Sequence, residues 1–382
     1  MPKILLYVHH VGSYGGSTNS LLDMISHTKV NDKRYLITPR GAASKSFEEA
    51  FDKVFYVLGI PQLDNTEFGY YRGLRWIILI REIIYFLTSI PFFLNILFKN
   101  FLDIRLIHFN EITLAPLALV AKFLGFKIIF HVRSLQRKNF RSKLFFILFR
   151  KTSYIPIDEY VSHTLPEKIN KTICRNSYNN SNKKKIIKSN KSIENIVILG
   201  GDPYQKGIDL AIKAVESLRN DGFLNLNISI FGMPNVSSLK NYIHKIISPS
   251  KIKSFEFIKK AESYNWVKFY SFTNNRENIF FNKDLLLFTS RLNAPGRPVI
   301  EASSYFIPSI YCSNLLINGC FNNVSIVCNP NIEKIKSSIL KVMQKISYKD
   351  DYKYYKKINE LHSSNAQAKI LSSIYGVMVC KK

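Results

Sequence analysis

Apolar residues in the first half of the chain gather into short unbroken runs, at 3–8, 34–38, 53–57, 104–109, 127–132 and 153–157, with polar or helix-patterned segments between them. They do not alternate strictly with polar residues. They therefore read as strands covered on both faces, the mark of a parallel sheet wrapped by helices. The pattern restarts at 196–199 and continues through 226–231, 267–270, 285–288, 309–312 and 325–328. Between runs the spacing turns helical, as in Leu21, Leu22, Met24 and Ile25, or Ile208, Ala211, Ile212, Val215 and Leu218. The expected fold is α/β, two Rossmann-like doubly wound domains facing a cleft.

Residues 175–195, nearly all Asn, Ser and Lys, separate the two series and hold too little apolar surface to order themselves. The expected division is a first doubly wound domain at 1–175, a basic polar linker at 176–195, and a second doubly wound domain at 196–345. Helices at 346–382 are expected to pack back toward the first domain. A chain of 382 residues is long enough for two such cores. One apolar run, 74–98, has the length of a bilayer span, but Arg75, Arg81, Glu82 and Pro91 interrupt it. Charges near its middle favour one or two apolar helices lying on a membrane or in the core, with Arg72, Arg75, Arg81 and Lys99 available to anionic headgroups.

Charge narrows the partners. The chain has 54 Lys and Arg against 27 Asp and Glu, a net +27 that repels itself unless an anionic surface or ligand is near. Nucleic acid, anionic lipid and phosphorylated substrates are the candidates. The lysines are spread and the basic linker is short of aromatics, which argues against nucleic acid. Cys174, Cys312, Cys320, Cys328 and Cys380 are odd in number and lack Cys-x-x-Cys spacing, so neither a disulfide framework nor a zinc site is indicated. The first apolar run reads as a strand rather than a leader, which points to the cytoplasm.

Four strand-to-helix turns carry the candidate chemistry. In "HHVGSYGGSTNSLLDMI", Gly12, Gly15 and Gly16 let backbone amides approach a ligand, and Ser17 can cap the helix that follows. In "ILGGDPYQKGIDLAIKA", Lys206 stands at a helix mouth, where the ammonium and the helix dipole act together on a phosphate. In "TSRLNAPGRPVIEASS", a helix starts near Pro298. This puts Glu301 in the first turn, free to accept hydrogen bonds from vicinal hydroxyls, with Gly296 and Arg297 presenting an amide and a guanidinium to a diphosphate. In "FHVRSLQRKNF", His131 and Arg133 end a buried strand, and the histidine reads either as a group facing the cleft or as a satisfied core residue. No Ser-His-Asp set, metal-ligand spacing or paired-carboxylate signature accompanies them.

In this order the segments resemble the retaining family-4 glycosyltransferases of the GT-B fold, of the bacterial surface-polysaccharide type, over most of the chain. "GGSTNSLL" is similar to the family's N-terminal glycine loop, "IHFNE" and "FHVRS" to its mid-domain strands, and "ICRNSYN" to its Ile-Pro-Asn-Gly stretch, with Asn176 at the asparagine. "GGDPYQKGIDLAIKA" resembles the donor-phosphate turn, and "NAPGRPVIEA" the Glu-x7-Glu element. The resemblance implies His131, Lys206 and Asn293 as catalytic residues. It implies donor contacts from Gly15, Gly16, Arg133, Gly201, Lys206, Gly232, Gly296, Arg297 and Glu301, with Glu301 on the ribose.

Two positions depart from the family pattern. Asn293 replaces the first glutamate of the element and cannot act as a carboxylate, and Gly201 stands where an arginine is expected, removing a charge-assisted bond of roughly 1.5 to 3 kcal/mol. The implied activity is transfer of a sugar from a UDP- or GDP-sugar to a surface glycan or polyprenyl-diphosphate-linked acceptor. It is expected at the inner face of the cell membrane, against anionic lipid, with no metal and no nucleic acid. A catalytically silent GT-B scaffold in glycan assembly is the alternative that these departures favour, and charge alone favours a nucleic-acid-binding protein.

Overall fold

The computed structural model describes residues 2–28, 30–66, 75–177, 193–232, 249–273, 275–291, 296–312, 325–344 and 352–380. Arg72, Asn293, Cys320 and most of the expected linker, 178–192, lie outside them. The chain divides into two compact units, Met1–Asn179 with His362–Lys382, and Asn180–Leu361.

Unit 1 holds strands β1 (Ile4–Val8), β2 (Lys33–Pro39), β3 (Lys53–Val57), β4 (Ile104–Phe109), β5 (Ile128–Val132), β6 (Ser153–Pro156) and β7 (Asn170–Lys171), in sheet order β3-β2-β1-β4-β5-β6-β7. Its helices are α1 (Gly16–His27), α2 (Ser44–Ala50), α3 (Arg75–Lys99), α4 (Ala115–Phe123), α5 (Phe140–Leu148) and α6 (Glu159–Thr164). Unit 2 holds β8 (Asn195–Leu199), β9 (Asn227–Phe231), β10 (Val267–Tyr270), β11 (Leu285–Phe288), β12 (Ser309–Cys312) and β13 (Ser325–Cys328), in order β10-β9-β8-β11-β12-β13. Its helices are α7 (Ile208–Asn220), α8 (Pro249–Ala261), α9 (Arg276–Phe280), α10 (Arg297–Ser304), α11 (Ile332–Gln344) and α12 (Tyr352–Leu361), and α13 (Ser364–Cys380) returns to unit 1.

All strand pairs in both sheets are parallel. Every residue of β1, β5 and β11 is buried, which is why these runs are apolar without alternation. In each sheet the order reverses beside the first strand, at β1 and β4 in unit 1 and at β8 and β11 in unit 2. Outside the carboxyl ends of those strand pairs the loops diverge and leave room for a ligand.

The two C-terminal helices, grouped together in the sequence reading, part company. Helix α12 stays with unit 2, where the rings of Tyr355 and Phe306 lie 5.4 Å apart. Helix α13 completes the core of unit 1, because Leu371 and Tyr375 pack among Leu5, Tyr7, Leu21, Leu106 and Ile129. The Tyr7 hydroxyl donates to that of Tyr375 at 3.2 Å, and Tyr375 also meets His108 Nδ1 at 2.8 Å. The first two residues of the expected linker are ordered in unit 1 as well, with Ser177 donating to Gln367 Oε1 at 2.6 Å.

Glycine pairs bring the first two loops of each sheet together. A Cβ on Gly12 would overlap the carbonyl of Pro39, and one on Gly41 would overlap Gly12. In unit 2 a Cβ on Gly200 would lie 2.7 Å from the Phe231 carbonyl oxygen and 2.8 Å from Gly232. By contrast, nothing lies within 4 Å of the place a Cβ would take on Gly15, whose φ of −179° is ordinary extended backbone.

Unit 1 also buries histidine. Burial holds His108 down to about 3 and His10 and His362 to about 4, and it holds His9 and His131 well below the usual range, with Arg133 adding to the effect at His9, His10, His108 and His131. Each is neutral when folded and takes a proton on unfolding below its ordinary value of about 6.5. Their stabilising contribution is present above that pH and is lost as pH falls toward 4 and 3.

Two outcomes are expected. Gly12→Ala and Gly200→Ala should each lose about 1–3 kcal/mol in urea unfolding through overpacking, while Gly15→Ala stays near wild type. The urea midpoint should fall from pH 6.5 to pH 4, with a shallower slope in His131→Leu; a slope unchanged by that substitution would show that this ring is not a neutral buried group.

Candidate active site

Unit 2 builds its site from the loops that follow β8 and β11. After β8 the chain turns at Gly201, whose φ of +127° strains any other residue. A side chain there would also begin 3.5 Å from Lys206 Cε. The absent arginine thus has a backbone reason, since the turn is built for glycine. Gly207 caps α7 in the left-handed region, φ +60°, and a Cβ on it would collide with the Thr289 carbonyl oxygen. Thr289 Oγ1 donates toward Gly207 O at 2.9 Å and Lys206 O at 3.1 Å, so the two loops are stitched together.

Lys206 is thereby fixed at the N-terminus of α7, its Nζ 5.4 Å from the centre of the Phe288 ring. Burial pushes its ammonium below the usual lysine range, and Asp202 pulls it partly back. A cation at a helix N-terminus is unfavourable without an anion. Arg291 locks the base of the site by forking onto Asp209 at 2.8 and 2.7 Å, while its guanidinium stacks 4.4 Å from the centre of the Tyr204 ring.

Helix α10 begins at Arg297 with Gly296 as N-cap, one residue earlier than Pro298 suggests. Glu301 is therefore in the second turn rather than the first, beyond the dipole's useful reach. Nor is it free as expected: its Oε1 lies 2.9 Å from Arg297 Nε and 3.2 Å from Arg276 Nε. Both guanidiniums thus converge on one buried carboxylate, which fixes their positions. Gly296 is required sterically, because a Cβ would stand 2.9 Å from the Tyr311 ring. Gly232 ends β9 with φ +79°. Asn293 is outside the described residues, so its expected role meets no geometry here.

In unit 1 the N-cap of α1 is Gly15, with no side-chain cap. Ser17, expected as the cap, is the second residue of the helix, and the first-turn amides lie beside the open space around Gly15 and Gly16. Arg133 is a buried hub. It donates to Asn110 Oδ1 at 3.1 and 2.8 Å and to Asn176 Oδ1 at 2.8 Å. The Asn110 amide in turn meets His9 Nδ1 at 2.9 Å, and His9 Nε2 meets Thr18 Oγ1 at 3.0 Å. Since Thr18 donates to Ser13 O at 2.8 Å, it accepts from His9, which sets the neutral tautomer with the proton on Nε2.

His131 does not present its ring at a surface. It is fully buried, 5.5 Å from His108, with neither nitrogen hydrogen-bonded, because β5 is covered on both faces. Glu111, which sequence reasoning passed over although it ends "IHFNE", sits where β4 opens into its loop. Burial raises its carboxyl to about 7, while the Ile112 amide at 2.9 Å, Arg133, and the Ser134 hydroxyl at 3.2 Å oppose the rise. Arg276 and Arg291 were also missed, since nothing in their spacing marks them. Among the described residues no group of three or more His, Cys, Asp or Glu could hold a metal ion.

Comparison with known proteins agrees with this geometry. Residues 179–359 match the family described as Glycosyl transferases group 1. No curated protein sequence matches the chain. Among solved structures, Anabaena HepE (Alr3699) with UDP and glucose aligns with a TM-score of 0.72 at 12% identity, over 98% of this chain and 100% of that one. A glycosyltransferase from Rickettsia africae aligns at 0.68 and 13% identity over 100% of both chains. A variant of S. aureus TarM with UDP bound aligns at 0.66 and 12% identity, covering 98% and 99%. The chain has the GT-B fold, its residues 179–359 resemble the glycosyl transferases group 1, and it is a glycosyltransferase.

Proposed function

We propose that the protein is a retaining, metal-independent glycosyltransferase that moves a sugar from a UDP- or GDP-sugar to a surface glycan carried on a polyprenyl diphosphate, working in the cytoplasm at the inner face of the membrane. The observations that carry the donor side are buried Lys206 at the mouth of α7, after β8, and the guanidiniums of Arg297 and Arg276, after β11 and β10, meeting on Glu301. HepE, which shares the fold, binds UDP-glucose, and this supports the donor class.

In this reading the bond from the anomeric carbon to the diphosphate oxygen breaks first. Lys206, Arg297 and the helix N-termini stabilise the charge that collects on the leaving diphosphate. Its oxygen then takes the proton from the acceptor hydroxyl on the same face as the new bond forms, so configuration is retained. Glu301 holds the two guanidiniums in place and offers its carboxylate to the ribose. A silent donor-binding scaffold is the second reading, favoured by glycine at 201 in place of a phosphate-binding arginine.

Donor hydrolysis and transfer with UDP-, GDP- and ADP-sugars plus membrane extract separates the two. One donor should turn over, Lys206→Ala should lower kcat by about 10²–10³-fold, and Glu301→Ala should lower kcat/KM by a similar factor. Activity should survive EDTA, since cationic side chains carry the leaving-group charge. Donor binding with no turnover under any condition would establish the silent scaffold instead.

A further inference from the structure

We propose that Cys312 and Cys328 of unit 2 form a reversible oxidation site, a dithiol that a peroxide converts to a disulfide and that weakens donor binding when it closes. The effect on the donor rests on the reading above; the bond itself does not.

The two residues end neighbouring strands. Cys312 closes β12 and Cys328 closes β13, and the parallel register sets them directly opposite each other. Neighbouring strands run about 4.8 Å apart, inside the roughly 4.4–6.8 Å over which a disulfide joins two Cα atoms. The side chains share one face of the sheet, and their Sγ atoms lie 3.5 Å apart as free thiols. Joining them takes a small movement, about 1.5 Å between the sulfurs.

The pair also has the asymmetry that oxidation requires. Cys312 is buried, whereas Cys328 is only partly so and lies on the edge strand, where a small oxidant can arrive. The Cys312 thiol donates to Cys328, and that bond together with burial pushes Cys312 above the usual thiol range. The same bond, with one from Ser338, holds Cys328 below its usual range against its own burial, so the thiolate forms there. Its sulfur attacks one peroxide oxygen and the O–O bond breaks. This leaves a sulfenic acid and a hydroxide that takes up the proton Cys328 gave up. The Cys312 sulfur then attacks the Cys328 sulfur, loses its proton and expels a second water. Two thiols thus give up two electrons and two protons, and one peroxide becomes two waters.

Cys174 in unit 1 is the contrast. It is fully buried, burial pushes its thiol up to about 12, and its sulfur meets the Gln367 carbonyl at 3.9 Å. Such a thiol is inert. The paired thiols of unit 2 are the resting state, and in a reducing compartment a disulfide between them is transient.

The bond reaches the donor side through Tyr311. Side chains alternate along β12, so Tyr311, next to Cys312, points to the opposite face. There its ring stacks on Phe288, with centres 5.3 Å apart and planes 10° apart. Lys206 Nζ lies 5.4 Å from the centre of that Phe288 ring. The Tyr311 ring also closes against Gly296, the N-cap of α10, where a Cβ would stand 2.9 Å from it. On the cysteine face, fully buried Ile335 and Ile339 of α11 hold β13 in place. The approach of the sulfurs is therefore taken up at the end of β12. Tyr311 moves with it, and the start of α10, with Arg297 and Glu301, loses its fit, as does Phe288 beside Lys206.

The test uses the full chain, first reduced and then exposed to hydrogen peroxide. Remaining thiols are blocked with N-ethylmaleimide in denaturant, the disulfide is reduced and labelled with iodoacetamide, and fragment mass spectrometry locates each label. Iodoacetamide should appear on Cys312 and Cys328, with N-ethylmaleimide on Cys174 and Cys320. Of UDP and GDP, whichever the reduced chain binds should bind the oxidised chain at least fivefold more weakly by calorimetry, and dithiothreitol should restore the affinity. Cys328→Ser and Cys312→Ala should each bind that nucleotide as the reduced wild type does, before and after peroxide. Circular dichroism checks that both are folded, and Cys328, being partly exposed, is the milder site. Peroxide that leaves both residues as thiols, or pairs either with Cys320, would overturn the proposal. So would a bond between Cys312 and Cys328 that leaves nucleotide affinity unchanged, an outcome that keeps the donor reading. A reduced chain that binds neither nucleotide removes the donor reading and the regulatory effect with it, while the labelling still decides the bond.

Discussion

The close approach of Gly207 to Thr289 is the constraint on which the donor side depends. In a sheet ordered β10-β9-β8-β11-β12-β13, β8 and β11 are neighbours, and their loops must leave the sheet side by side. A left-handed glycine at the mouth of α7 lets the β11 loop lie directly against it, and Thr289 then bonds both Lys206 O and Gly207 O. A side chain at 207 would push these loops apart. Lys206 would then lose its place at the helix mouth, where a cation is poised for an anion.

The same economy of Cβ atoms recurs in unit 1, where Gly12 and Gly41 meet as Gly200 and Gly232 do in unit 2. The glycines of "HVGSYGG" thus do different work. Gly12 closes a backbone contact, whereas Gly15 and Gly16 border open space where a ligand can approach. A glycine-rich loop is therefore a mixture of packing and binding positions, and only the contacts around each residue tell them apart.

Charge is arranged differently in the two units. Unit 1 binds the Arg133 guanidinium to Asn110 and Asn176 and keeps its buried histidines neutral, so polar order is kept at the cost of acid stability. Unit 2 instead brings two guanidiniums onto one buried carboxylate. The surplus of the whole chain, +27, is partly local, in the acid-free segment from 112 to 157.

The sequence alone determined the α/β class, the two series of strands and the turns that matter, because strands buried on both faces must be apolar and turns that bend sharply must carry glycine. It also marked Lys206, Arg297 and Glu301, which lie within a few residues of those turns. Tertiary structure decided what spacing cannot encode. Arg276 reaches Glu301 from another helix, Arg291 finds Asp209 across more than eighty positions, and Tyr375 returns from the C-terminus to His108. It also decided the placing of Glu301 in the second turn and the enclosure of His131, since both depend on where a helix starts and on what covers a strand. For α3 the sequence left a membrane surface and the core both open, and it did not mark the outward apolar residues of α5. Their exposure in the fold, with buried residues on the other side of the same helices, is decided by the tertiary structure.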